Sequence, residues 1–259
     1  MIEPENTPNL NNISNINNIE SARRRGIYLL PNLLTTGALF AGFYAIVAGM
    51  QAHFEHAAIA IFVAMIMDTL DGRVARLTGT QSAFGAQYDS LSDMVCFGLT
   101  PALVSYNWGL SSLGKPGWLA AFIYAAATAL RLARFNTQLG SADKRYFVGL
   151  PCPIAAAVVA GMVWMGVELE ISGERISVIV ALITVMMGIL MVSNLRYYSF
   201  KEIDFKGSVP FVAVLAVVLL FSVIAWDPPV ILFVMSILFA LSGPGLWIKN
   251  RYWKGSSAA

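Results

Sequence analysis

The chemistry this sequence can perform lies in four aspartates. Asp68, Asp71, Asp89 and Asp93 fall in the run DTLDGRVARLTGTQSAFGAQYDSLSD, inside or at the ends of otherwise apolar stretches. A carboxylate within a membrane costs about 2.5–3.5 kcal/mol on insertion scales, so such a residue marks a functional site by default. On helices, Asp68 and Asp71 share a face, and so do Asp89 and Asp93. Gly72 and Ala75 fall on the Asp68 face and let a bulky group approach. Gly85, one turn before Asp89, thins the partner helix in the same way. Two antiparallel spans joined by a short turn, Leu77 to Ala83, bring both pairs together at one end.

Four facing carboxylates cannot all stay ionised in a low dielectric without compensation. Hard divalent cations with oxygen ligands are the natural answer, Mg²⁺ or its relatives. Zinc and copper are disfavoured, because His53 and His56 lie near the opposite face and Cys96 and Cys152 are isolated. Arg76, Arg131 and Arg134 beside the acids suggest metals bridging to phosphate, with arginine completing the charge clamp. Asp–Arg pairs that merely tie helices together would not need four acids. Cys96, just past Asp93, reads as an inert buried thiol.

The elements that position these residues are membrane helices. Of 259 residues, 57% are hydrophobic and 12% charged, with a mean hydropathy of +0.66. A soluble domain carries roughly a quarter charged residues. A water-soluble enzyme, a disordered protein and a nucleic-acid binder with a broad basic face are thereby excluded. Apolar stretches long enough to span occur at about 33–50, 57–77, 83–107, 117–136, 152–168, 176–193, 209–226 and 229–248. The expected fold is all-α: a polytopic bundle of about eight transmembrane helices. Residues 1–25 read as a disordered, Asn-rich tail, 26–208 as a core with a juxtamembrane segment and six spans, and 209–259 as two further spans with a short basic tail. With the N-terminus inside, only Lys115 and Arg175 of the 17 Lys and Arg fall outside, which predicts both termini in the cytoplasm. Trp108, Trp118, Trp226 and Trp247 are placed as an interfacial aromatic belt would be. Met65, Met67, Met186 and Met187 read as packing residues, and Gly243-Pro244-Gly245 as a kink in the last helix.

The acidic run reads Asp68-x2-Asp71-Gly72-x2-Ala75-Arg76-x8-Gly85-x3-Asp89-x3-Asp93. It resembles the signature of the CDP-alcohol phosphotransferases, with every spacing intact. The flanks LPNLLTTGALFAGF (30–43), YDSLSDMVCFGLTPAL (88–103), ALRLARFN (129–136), FVGLPCPIAAA (147–157) and LMVSNLRYYSFK (190–201) are similar to membrane-integral bacterial phosphatidylserine synthases. The resemblance covers roughly residues 28–205 and thins over the last two spans.

That resemblance implies CDP-diacylglycerol as donor, L-serine as acceptor, and two divalent cations, Mg²⁺ or Mn²⁺, with Ca²⁺ as a structural substitute. Carried over by position, Asp68, Asp71 and Asp89 are the main metal ligands. Asp93 helps hold the second metal and serves as general base on the incoming hydroxyl. Asn32, Thr35, Gly72, Ala75, Arg76 and Gly85 line the nucleotide and phosphate side. Arg131, Arg134, Asn136 and Lys144 are candidates for the serine carboxylate or a phosphate. The resemblance further implies a homodimer among membrane lipids, in the inner membrane with its site facing the cytoplasm, and no nucleic-acid partner. Other acceptors (glycerol phosphate, inositol phosphate or choline), an intramembrane prenyltransferase and a divalent-cation transporter are the alternative readings.

Overall fold

A computed structural model describes residues 10–137, 146–198 and 211–256. In chain order the elements are α1 (Leu10–Met50), α2 (Phe54–Thr78), α3 (Ala83–Asp93), a π-helical turn (Met94–Leu99), α4 (Thr100–Trp108), a 3₁₀ turn (Leu110–Leu113) and α5 (Lys115–Thr137). They continue with β1 (Tyr146–Val148), α6 (Cys152–Glu168), α7 (Ser177–Val192), β2 (Arg196–Tyr198), α8 (Phe211–Trp226) and α9 (Pro228–Ser256). Three of these helices hold segments long and apolar enough to cross a membrane: Leu29–Met50, Lys115–Thr137 and Pro228–Lys249. The protein is a helical membrane protein.

The core explains the packing. Where lipid replaces water, helices associate by close contact rather than by hiding apolar surface, and small residues allow that contact. Ala38, Ala41, Ala45 and Ala48 of α1 are buried where that helix packs on α2 and on the α3–α4 segment, and α2 buries Ala57, Ala58, Ala60 and Ala64. Large apolar side chains such as Phe40, Phe43, Ile66 and Phe122 face outward. α5 packs on α7, and α6 packs on α2 and α9. Helix α8 is apolar all round, and most of its side chains are exposed.

Four features depart from the sequence reading. The Asn-rich run is helical from Leu10, continuous with α1, where a tail without regular structure was expected. β1 and β2 form a short antiparallel pair, Phe147 opposite Tyr197, that joins two loops of the all-α bundle and had no counterpart in the sequence reading. The stretch 83–107 is not one α-helix but is interrupted by the π turn. Trp108 is 6% exposed and packs on Gly166 and Gly173, so it is a core residue rather than part of an aromatic belt.

Two prolines account for two tyrosines. Proline has no N–H and leaves the carbonyl four residues earlier without its helical partner. In an apolar setting such a carbonyl must find another donor. Pro101 frees the carbonyl of Phe97, and the buried Tyr124 hydroxyl donates to it at 3.0 Å. Pro244, inside α9, frees the carbonyl of Ala240, and the Tyr197 hydroxyl donates to it at 3.1 Å. Gly243 lacks the Cβ that would collide with the Tyr197 ring, which stacks on Phe239 at 5.9 Å. Burial pushes the Tyr197 phenol up to about 12, so it stays a donor at neutral pH. Tyr197→Phe keeps the ring and removes the donor. It is expected to lower stability by about 1–3 kcal/mol, read as a fall in Tm in detergent; an unchanged Tm would show that the Ala240 carbonyl has another donor.

Candidate metal centre

The acidic residues come from the end of α2 and from α3, and the turn between them is defined by local chemistry. Helix α2 stops at Gly79, which adopts φ +65°, a conformation that costs a residue with a Cβ. Its N–H donates to the Arg76 carbonyl at 3.4 Å and that of Thr80 to the Ala75 carbonyl at 3.0 Å, the paired bonds of a Schellman ending. Ser82 then caps α3, its Oγ accepting from the Gly85 N–H at 2.9 Å. Reversal over 79–82 turns the chain back, and α3 packs on α1, which also carries α2.

Within that hairpin, Asp68, Asp71 and Asp89 each present a carboxylate oxygen, all lying within 4.8 Å of one another. Asp93 joins them through Asp68, whose carboxyl is within hydrogen-bond reach of both Asp89 and Asp93. Asp71 is 4% exposed, and its Oδ2 accepts from the Thr35 hydroxyl at 2.6 Å. The Thr35 carbonyl in turn accepts from Ser92 Oγ at 3.4 Å, so α1 is bonded to both acid-bearing helices. Thr36 Oγ1 and Tyr88 Oη, 2.9 Å apart, add a second link between α1 and α3.

The residues fit a hard divalent cation. The donor set is all carboxylate oxygen. Asp89 Oδ1 is buried and has no hydrogen-bond partner, an arrangement that is costly unless a cation completes it. Thr35, donating to a ligand carboxylate, would orient it in the way outer-shell partners do.

A cavity of about 430 Å³ opens beside the acids. Asn32, Thr35, Gly72, Ala75, Arg76 and Gly85, which the sequence placed on the nucleotide side, all line it. So do Asp71, Asp89 and Asn136, whose amide donates to Ser90 Oγ at 3.0 Å. Gly85 matters for its bareness: a Cβ there would stand 3.4 Å from Asn32 Oδ1 and 3.1 Å from Ser82 Oγ. Arg131 and Arg134 do not line this cavity. Arg131 Nη1 donates to the Cys152 sulfur at 3.2 Å, and Arg134 Nη2 to Asn194 Oδ1 at 2.7 Å. Lys144 lies outside the described residues.

The sequence reading missed Thr80, Gln81, Ser82, Ser90 and Phe135, which also face the cavity. Ser82 had a signal, since a serine ahead of a short helix is a cap candidate. Phe135 had none, because an aromatic at a helix end reads equally well as a lipid contact.

The CDP-alcohol phosphatidyltransferase profile matches residues 28–190. The chain belongs to the CDP-alcohol phosphatidyltransferase family. Named relatives agree. It is 36% identical over 180 residues to a CDP-diacylglycerol–serine O-phosphatidyltransferase of Helicobacter pylori, covering 70% of this chain and 76% of that protein. Proteins of the same name from Mycobacterium bovis and Methanocaldococcus jannaschii are 42% and 38% identical, over 54% and 59% of this chain and 51% and 68% of theirs.

For this family member, Thr35→Val keeps the shape and deletes the donor to Asp71. Loss of such an outer-shell partner typically costs about 10–100-fold in metal affinity. The divalent-cation concentration giving half-maximal activity should rise by that order, while protein yield and Tm stay near wild type. An unchanged metal titration would reduce Thr35 to a helix-packing residue.

Proposed function

We propose that this enzyme transfers the phosphatidyl group of CDP-diacylglycerol to the hydroxyl of L-serine, releasing CMP. The observation that carries this is the convergence of three carboxylates within 4.8 Å, two of them (Asp71 and Asp89) in the wall of a cavity lined by all six residues assigned to the nucleotide side. The names of the relatives support serine as the acceptor.

Asp68, Asp71 and Asp89 would hold two divalent cations, Mg²⁺ or Mn²⁺, with Asp93 contributing to the second. Bound there, the ions neutralise the pyrophosphate and stabilise CMP as leaving group. The other roles belong to the chain. Arg76, exposed at the mouth, faces the phosphates, and the bare Gly72 and Gly85 admit the nucleotide between α2 and α3. Asp93 accepts the proton of the serine hydroxyl as that oxygen attacks phosphorus. Arg131, Arg134 and Lys144 supply positive charge, and Asn136 a neutral amide donor, for the serine carboxylate or a phosphate. No Ser or Cys nucleophile enters.

The chain would thread the membrane eight times in the inner membrane, with both termini and the site on the cytoplasmic side, as a homodimer. Cysteine labelling of intact cells should reach positions near Lys115 and Arg175; strong labelling near Lys206 would overturn that topology.

The decisive experiment is CMP release from CDP-diacylglycerol in detergent, with serine against glycerol phosphate, inositol phosphate and choline. Release with serine alone is expected, and EDTA should stop it reversibly. Preferred turnover of another alcohol would change the acceptor and leave the class intact.

Asp93 generates a sharper expectation. General-base loss costs about 10²–10⁴-fold, so Asp93→Asn should slow turnover by that order while CDP-diacylglycerol still binds. Direct attack inverts the configuration at phosphorus. A chiral-phosphorus donor giving net retention would instead make Asp93 a nucleophile in a double displacement.

A further inference from the structure

Arg131 is held by an uncommon partner. Its Nη1 donates to the sulfur of Cys152, and its Nε, buried, has no hydrogen-bond partner. Arg131 is half-buried, and an arginine held inside a bundle is ordinarily paired with an acid, since an uncompensated charge there is costly. A thiol is a weak, neutral acceptor, so it fixes the side chain without cancelling its charge.

The position of Arg131 says what that charge faces. Two bonds tie the α3–π segment to the antiparallel α5: Asn136 to Ser90, and Tyr124 to the Phe97 carbonyl. Asp93 stands between Ser90 and Phe97, and Arg131 between Tyr124 and Asn136, so the two lie at one depth in the bundle. Cys152 is within electrostatic reach of both. It is the first residue of α6, fully buried between Pro151 and Pro153, and therefore offers its sulfur from a rigid helix start.

We infer that Cys152 is a positioning residue of the acceptor site, its neutral sulfur orienting Arg131 so that the guanidinium keeps its charge for the carboxylate of an amino-acid acceptor whose hydroxyl stands at Asp93. The inference rests on the serine reading above and deepens it. It explains why a sulfur serves where a carboxylate would bind arginine more tightly. An acid at position 152 would saturate Arg131 and compete with the substrate.

The test uses the full-length enzyme in detergent, with CMP release measured against serine and, separately, against CDP-diacylglycerol. Removing one hydrogen bond to a charged group predicts that Cys152→Ala raises the KM for serine about tenfold. Its kcat and its KM for CDP-diacylglycerol should stay within about twofold of wild type, the pattern of lost acceptor binding. Cys152→Ser, whose hydroxyl also accepts, should restore most of the serine affinity. Cys152→Asp should be the worst of the three for serine despite making the strongest bond to Arg131. A packing role would instead depress Tm and turnover with both substrates together, and that pattern overturns the inference. A serine KM in Cys152→Ala equal to wild type overturns it as well, and needs no folded Asp variant. If the wild-type enzyme releases no CMP with serine, the serine reading itself falls and takes this one with it.

Discussion

Carboxylates that converge within 4.8 Å inside an apolar bundle repel one another far more than they would in water, and no feature of α2 or α3 alone holds them there. The restraint comes from α1. Its Gly42 lets the helix approach until a Cβ would lie 2.8 Å from the Cys96 sulfur, and Gly49 does the same against Val104 at 3.1 Å. Thr35, on the same helix, donates to Asp71 and accepts from Ser92. One helix therefore clamps both acid-bearing partners, through contacts that only small residues and short hydroxyls permit.

The same crowding explains where the helices are irregular. Directly after Asp93 the backbone widens into a π turn, a feature common at functional sites. Thr100 Oγ1 donates to the Val95 carbonyl at 2.7 Å, and Tyr124 serves the Phe97 carbonyl that Pro101 leaves unbonded. The Val95 carbonyl also accepts the Thr100 backbone N–H, so Tyr124 is the side chain here that stands in for a missing helical donor, as an apolar medium requires. Tyr124 does more than satisfy a carbonyl, because it pins α5 against the π turn and so sets Arg131 level with Asp93.

How much of this was legible follows from which interactions are local. Spacing put Asp68 with Asp71 and Asp89 with Asp93, and the short turn between them made a hairpin; these are properties of one continuous stretch. The bare positions Gly72 and Gly85 were readable for the same reason. Contacts between distant segments were not. Trp108 at a span end looked interfacial, yet Gly166 and Gly173, far along the chain, leave a slot for its ring. The β1–β2 pair joins residues about fifty apart, and nothing in YFV or RYY alone announces a strand. Cys152 appeared isolated because its partner, Arg131, is 21 residues away on another helix. Pro244 stood out in the sequence, but its dependence on Tyr197 did not.

The distribution of partners among the charged groups completes the physical account. If the arginines at this end had paired with the aspartates, each ion pair would have removed a ligand from the metals and a cation from the substrates. The fold prevents this by giving the inner arginines neutral partners elsewhere in the chain: Cys152 of α6 for Arg131 and Asn194, past the end of α7, for Arg134. Arg76 shares a helix with Asp68 and Asp71 but is exposed at the cavity mouth. Negative charge is thereby concentrated between α2 and α3, and unneutralised positive charge on α5. Under the proposed reaction, a donor whose phosphates need metal and an acceptor whose carboxylate needs arginine would then meet at Asp93. That separation requires α5 to stand close to the π turn after Asp93 without an ion pair between them, and the Ser90–Asn136 and Tyr124–Phe97 bonds, both uncharged, achieve it.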